Sequence, residues 1–371
     1  MDFLSPLAPY YYFVYWLIVL VLTLKRFNVM NRMSGYAVVG CKYNYKHIFA
    51  LSILFVFFYG LRPLTVEFGD TVNYVKGYVL MRDFGVLNVQ GTEGLGSDWL
   101  FYGLMYICAQ LMDVHFFFLI CMTLYIVMMY KGCKIIDYAH GAVLILFCYG
   151  TFEFYPFAVN GVRNGVACSL AIMAVAYLCK KKMPMAIVLS FIAVGIHKSA
   201  ALPVCCMFFT YFVWKPKYMF ITWLLAIFIS LTIGGYIDNF LEMINFDQRL
   251  ANNLREDDAD GIVIEHRFRW DFLLYSFMPI LLGWYTIFKR RLYNRTYLIL
   301  LGTYIYANAF WVLAIRAMFS NRIAYLSWFL YPIVLAYPLL NFPVFIKQHS
   351  KKMAWILLAN FGFTTLLWLI G

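Results

Sequence analysis

Apolar runs recur along nearly the whole chain. They fall at about 10–24, 47–61, 99–112, 115–130, 140–157, 162–179, 184–197, 199–214, 218–236, 272–288, 296–315, 323–340 and 353–370. Most reach about 15–20 residues, which suits a membrane-crossing helix, whereas strands of a membrane barrel need only about 9–11. Inside a bilayer every backbone N–H and C=O must be satisfied internally, so runs of this length predict an all-α polytopic membrane protein.

Composition closes the alternatives. Only 13% of the residues are charged and 64% are hydrophobic, against about 25% charged in a soluble domain. That excludes a disordered chain, a collagen and a soluble multi-domain enzyme. The net charge of +12 would point to nucleic acid in a soluble protein. In a membrane protein it must first be divided between the two sides, and no nucleic-acid partner is expected. The nine cysteines form no CxxC pair, and most lie in apolar runs, where they read as small buried hydrophobes. No cleavable signal peptide is expected, because no basic segment precedes the first run.

Basic clusters alternate with the runs: Lys25 to Lys46, Lys131/Lys134, Lys180–Lys182, Lys215/Lys217, Lys289–Arg295 and Lys347–Lys352. The positive-inside rule places them all in the cytoplasm. Of the 18 acids, only Asp137 then falls inside. The alternation works only if 99–112, which opens at Asp98-Trp99, does not cross, so that segment is expected to be re-entrant or interfacial. The expectation is about 12 crossings in one membrane domain, 1–371, with both termini outside. The large outer loops are 62–98 and 237–271.

Several ionisable residues sit at outer span ends, where the default reading is functional. Arg163 follows Asn160, which can cap the helix of the run 162–179 and so set Arg163 in its first turn. A cation there opposes the helix dipole until an anion arrives, when free N–H groups and guanidinium converge on it. Ser320-Asn321-Arg322 repeats the arrangement, with Arg316 on the same outer edge. His197-Lys198 interrupts an apolar stretch at the junction of two spans and suits phosphate contact or proton transfer. In the first outer loop, Arg62, Glu67 and Asp70 come together. A carboxylate such as Asp70 can act as general base, while Glu67 can equally pair with Arg62. The plain alternatives are a snorkelling arginine, a satisfied core histidine and a solvated loop acid.

Other signals are weaker. Asp257-Asp258-Ala-Asp260 contains a DxD but reads as solvated charge, and no metal site is expected. His266 to Arg269 reads as interfacial anchoring. Glu153 can pair with Arg163. There is no HExxH, P-loop or GxSxG, so zinc proteolysis, ATP hydrolysis and the usual serine esterase lack support.

Taken together, Gly60-Leu-Arg62 followed by Asp70-Thr and Tyr74, Asn160-Gly-Val-Arg163-Asn-Gly-Val-Ala167, Gly195-Ile-His197-Lys-Ser-Ala200 and Asn321-Arg322-Ile-Ala-Tyr325 resemble the EpsG family of Wzy-like polysaccharide polymerases. The resemblance covers roughly 10–340. Asn164 departs from the family's more frequent Gln. The resemblance implies a GT-C-like fold. It also implies an enzyme that joins oligosaccharide repeat units carried on undecaprenyl diphosphate at the outer face of the bacterial inner membrane, for capsule, exopolysaccharide or O-antigen. In that reading Arg62, Arg163, Arg322, Lys198 and Arg316 bind the diphosphate, and Asp70 or His197 is the base. No cofactor is needed, because the sugar–diphosphate bond supplies the energy. Expected partners are the lipid-linked oligosaccharide, membrane lipids, and flippase and chain-length regulator proteins. Rival readings are a transporter or flippase for lipid-linked sugars, an O-antigen ligase-like transferase, a membrane O-acyltransferase and a structural partner in the assembly. The transporter should show internal repeats, which are not evident.

Overall fold

A computed structural model of the protein describes residues 7–85, 98–243, 268–317 and 320–370, without the side chains of 235–243 and 370. The described residues are helical, with no strand among them. The helices are α1 (Leu7–Arg32), α2 (Ala37–Gly40), α3 (Lys46–Gly60), α4 (Thr71–Phe84), α5 (Trp99–Leu111), α6 (Val114–Ile136), α7 (Gly141–Tyr149), α8 (Phe154–Val159) and α9 (Val162–Cys179). They continue as α10 (Met183–Ile196), α11 (Ala201–Phe212), α12 (Pro216–Met243), α13 (Trp270–Trp284), α14 (Arg295–Leu313), α15 (Ser320–Trp328), α16 (Tyr331–Asn341) and α17 (His349–Ile370).

Among the described residues, eight helical segments are long and apolar enough to cross a membrane. The helices over 46–60, 99–111, 183–196 and 198–212 are apolar but shorter. The protein is therefore a multi-pass membrane protein. Two expected elements differ. The run 140–157 is not one helix: α7 stops at Tyr149, a turn follows, and α8 restarts at Phe154. Gly150 and Thr151 make that break, and the Thr151 hydroxyl donates to the Cys148 carbonyl at 2.7 Å. The first outer loop also holds a helix, α4, that its polar composition concealed.

By internal packing the chain divides into two compact units, Met1–Val204 with Ala336–Gly371, and Cys205–Leu335. In the first unit α9 packs against α6 and α10, while α3 packs on α6 and α1 on α17. Helix α9 is buried along most of its length, whereas α1 turns Val14, Leu17, Val21 and Leu24 outward. An outward apolar face is what lipid would cover. Buried hydroxyls bond back to the carbonyl one turn earlier, as Ser52 does to Ile48 at 2.6 Å and Ser190 to Ala186 at 2.7 Å, so they need no water.

In the second unit α12 lies along α14. Several of its buried polar groups are paired across helices. Trp223 donates Nε1–H to Asn308 at 2.9 Å, Asn308 donates to Ser327 at 3.0 Å, and Trp328 donates to Ser276 at 2.7 Å. Such pairs hold apolar helices together where the hydrophobic effect gives little preference between neighbours.

Candidate functional site

The first unit brings Arg163, His197 and Lys198 together around a residue the sequence reading passed over, Asp98. Asp98 sits immediately before α5, and its carboxylate is 1% exposed. Its Oδ2 accepts from Arg163 Nη1 at 2.7 Å and from His197 Nδ1 at 3.0 Å. Its Oδ1 accepts from the Lys198 backbone N–H at 2.8 Å. These partners lie 65, 99 and 100 positions away along the chain.

Local backbone explains the convergence. Helix α10 ends at Ile196, and His197 is extended (φ −151°, ψ 117°) before a single 3₁₀ turn over Lys198–Ala200. That break swings the imidazole onto Asp98 and frees the Lys198 N–H from helix bonding. Gly195 lets α5 come close: a Cβ there would lie 2.5 Å from Leu100 Cδ1 and 2.9 Å from its Cγ. Arg163 occupies the first turn of α9, as expected. It also donates to the hydroxyls of Tyr102 (3.1 Å) and Tyr74 (3.3 Å), with the Tyr74, Phe101 and Tyr102 rings around it.

Burial alone would raise the Asp98 carboxyl. The hydrogen bond and charge of His197, the Arg163 guanidinium and the Lys198 N–H outweigh it and hold the group below the usual carboxylate range. Asp98 is thus an acceptor on both oxygens. His197 Nδ1 must then donate to it, which in the neutral ring leaves the lone pair on Nε2. The imidazole is 19% exposed. The arrangement is an acid-oriented histidine with its second nitrogen turned away from its carboxylate, the geometry of a general base. The Lys198 ammonium has no partner among the described residues.

Arg62 and Asp70 belong to an adjoining knot. Arg62 is fully buried. It donates to the Tyr59 carbonyl (2.7 Å), the Val159 carbonyl (3.0 Å) and the Thr71 hydroxyl (2.9 Å), and lies 4.8 Å from the Phe118 ring. Thr71 donates in turn to Val159 at 2.9 Å. Arg62 thus ties the end of α3 and the start of α4 to the end of α8. Burial lowers its pKa to about 10, so it stays charged at neutral pH. Asp70 is half-buried at the head of α4, and its N–H donates to Asn160 Oδ1 at 2.8 Å. One turn later α4 carries Tyr74 to Arg163, so the two knots share a helix.

Three local expectations are corrected here. Asn160 does not cap α9: Gly161 holds that position with no side-chain cap, and the Asn160 amide serves Asp70. The carboxylate on Arg163 is Asp98, not Glu153, which is buried between α7 and α8. Glu67 does not pair with Arg62 but accepts from the Ala8 N–H at 2.9 Å.

Arg316 and Arg322 lie in the second unit. Arg322 is in the first turn of α15, half-buried, and Arg316 lies 5.5 Å from the Phe268 ring. Arg269 pairs in two-point fashion with Asp271 at 3.0 and 2.7 Å, as an interfacial anchor would. Asp257, Asp258, Asp260 and His266 lie outside the described residues. No cluster of three or more metal-ligating side chains occurs among the described residues.

A multi-span helical membrane protein with a carboxylate–imidazole–guanidinium cluster at its helix ends is the class defined by these features. The model of the EpsG family matches residues 45–370, and the chain belongs to that family. Membership makes it a polysaccharide-polymerase-like membrane protein. No curated protein and no solved structure matches the chain. The match spans every residue of the Asp98 cluster and of the Arg62 knot.

Proposed function

We propose that the protein is a membrane glycosyltransferase that polymerises oligosaccharide repeat units carried on undecaprenyl diphosphate. It works at the outer face of the bacterial inner membrane and builds capsule, exopolysaccharide or O-antigen. The observation that carries this reading is the His197 imidazole held by the buried Asp98 carboxylate, which also takes Arg163 and the Lys198 backbone N–H.

In this mechanism His197 Nε2 takes the proton from a sugar hydroxyl of the incoming lipid-linked unit. The resulting oxygen nucleophile attacks the anomeric carbon of the growing chain. The anomeric C–O bond to the diphosphate breaks, and undecaprenyl diphosphate leaves with the bonding electrons. Lys198 neutralises the charge that develops on the leaving group. Asp98 fixes the imidazole tautomer and stabilises the imidazolium that forms. Arg163 keeps Asp98 ionised and supplies positive potential to the same end. Asp70, the other candidate for the base, is given the acceptor hydroxyls in this reading, and Arg62 the positioning of α4. For Arg316 and Arg322, in the second unit, diphosphate binding is what the family resemblance implies. A flippase and a chain-length regulator are the expected protein partners.

The test is mass spectrometry of lipid-linked oligosaccharides from cells lacking the protein and from cells complemented with His197→Gln or Arg163→Ala. Single repeat units should accumulate in all three strains, with long polymer absent. Full-length polymer in the null strain, altered only in acyl groups or left on its carrier, overturns the polymerase in favour of an acyltransferase or ligase.

A further inference from the structure

On the face that carries the basic clusters, α1, α3 and α7 leave a cavity of about 170 Å³. Lys25, Arg26, Asn44 and His47 form its polar side, Leu22 and Leu146 part of its apolar side, and no acid lines it. It belongs to none of the chemistry above.

Arg26 is held in place from behind. Its guanidinium lies 4.5 Å from the centre of the Tyr43 ring. Tyr43 is 6% exposed, and its N–H donates to the Ala139 carbonyl at 3.1 Å. Next to Tyr43, at 6.0 Å, is the buried His140 ring. His140 Nδ1 lies 2.8 Å from Asp137 Oδ2, and Asn341 donates to the same oxygen at 2.7 Å. Stacking uses the face of a guanidinium and leaves its N–H edge for an anion. The side chains of Lys25, Arg26 and His47 make no hydrogen bond or ion pair among the described residues. Asp137, the acid behind His140, is already spent on His140 and Asn341.

The apolar side of the cavity identifies the occupant. Val29 lines it and is itself 42% exposed, and its neighbours on α1, Val21 and Leu24, also face outward. The cavity therefore opens onto a lipid-facing helix surface. Its volume suits one headgroup phosphate and the start of an acyl chain, not a sugar polymer. Lys25, Arg26 and Asn44 also precede residue 45, where the family match begins, so most of the polar side of this pocket comes from chain outside the matched region.

We propose that this cavity binds the phosphate headgroup of an anionic phospholipid of the cytoplasmic leaflet. The phosphate sits on Lys25 and Arg26, and an acyl chain runs along Leu22 and Val29. Basic pockets at the cytoplasmic ends of membrane helices take such headgroups. The proposal does not rest on the polymerase reading.

The test uses the full chain in detergent, titrated with phosphatidylglycerol or phosphatidylcholine and followed by native mass spectrometry. The wild type should retain phosphatidylglycerol and not phosphatidylcholine. Each cation removed should weaken retention about fivefold, so Lys25→Gln loses about fivefold and the Lys25→Gln/Arg26→Gln pair about 25-fold. Lys131→Gln, which removes the same charge elsewhere, should retain the lipid. Lys25 is exposed, so its single variant decides the matter if the double variant fails to fold. Equal retention of both lipids, or unchanged retention by Lys25→Gln, overturns the proposal. Displacement by millimolar inorganic phosphate overturns it in favour of a free-anion site.

Discussion

Replacing Asp98 by Asn separates the two tasks assigned to that carboxylate. The substitution keeps size and removes charge. Arg163, with its side chain 10% exposed, then loses its only anionic partner among the described residues. Breaking a buried pair by removing one member costs about 3–5 kcal/mol. The Asn oxygen can still accept one of the three bonds, so the low end, about 3 kcal/mol, applies. That is a fall in Tm of roughly 4 °C for a chain of this size. The second effect is chemical. An Asn amide can donate to Nδ1, which drives the imidazole proton to Nε2 and removes the base. Loss of a correctly oriented base costs about 10²–10⁴-fold in rate. His197→Gln removes the base directly but leaves the Asp98–Arg163 pair intact, so it should cost only about 1 kcal/mol of stability with a similar loss of polymer.

Thermal unfolding in detergent and lipid-linked oligosaccharide profiling from the same strains read the two effects apart. Asp98→Asn should lose both stability and polymer, and His197→Gln should lose polymer alone. If Asp98→Asn falls in Tm yet makes polymer at the wild-type rate, the cluster is a structural ion pair and the base lies elsewhere. If its Tm is unchanged, the burial argument itself is wrong.

Gly195→Ala should disturb the same cluster by sterics alone, because its Cβ would overlap Leu100 and push α5 from α10; overpacking of this kind costs about 1–3 kcal/mol, read as lowered Tm, with polymer falling alongside. Gly69→Ala should cost about 1–3 kcal/mol, since φ is +60° and its Cβ would lie 2.5 Å from Asn160 Oδ1; unchanged Tm would show that the Asn160–Asp70 contact is dispensable. Lys198→Gln should leave Tm nearly unchanged, because its backbone N–H and not its ammonium holds Asp98, while polymer falls by about 10²-fold. Asp98 and Asp137 are both held below the ordinary 3.8 despite burial, Asp137 by His140 and Asn341. The folded protein therefore binds fewer protons than the unfolded chain as pH falls. Their stabilisation is fully present above about pH 5 and is lost as pH drops through the lowered values, so Tm should be flat from neutral to about pH 5 and then fall, with a shallower fall in Asp137→Asn.

The helical, multi-span character was legible because a bilayer permits almost nothing else for such runs. Arg163 and His197-Lys198 were legible for the same reason, since an ionisable group in an apolar run stands out without knowledge of its partners. Asp98 was not. It ends a polar tract rather than interrupting an apolar one, and its partners come from α9 and α10, so no local spacing links them. One signal was available: the segment it opens broke the alternation of sides, and a lone carboxylate stood at the break. The Asn160 error has a similar cause. Asn before a helix is a good cap by propensity, but the positive φ of Gly69 turns the Asp70 N–H toward it, and a tertiary donor replaced a local one.

The contrast between Arg62 and Arg163 carries the last step. Sequence placed both at outer span ends in the same role. Arg62 gives three N–H bonds to two carbonyls and one neutral hydroxyl, with no carboxylate among its hydrogen-bond partners, and is wholly enclosed. A guanidinium so enclosed keeps a net positive charge inside the protein, which raises the potential around α4. Arg163 is neutralised by Asp98, and that pairing keeps Asp98 ionised and His197 oriented. The cations then divide by availability. Arg62 ties α4 to α3 and α8, Arg163 helps keep Asp98 ionised, and Lys198, the residue after His197, keeps an ammonium with no partner among the described residues. In the proposed mechanism the diphosphate is met by Lys198, whose ammonium has no partner among the described residues, which is why Lys198→Gln, not Arg62→Lys, is the variant that should lose substrate while keeping the fold.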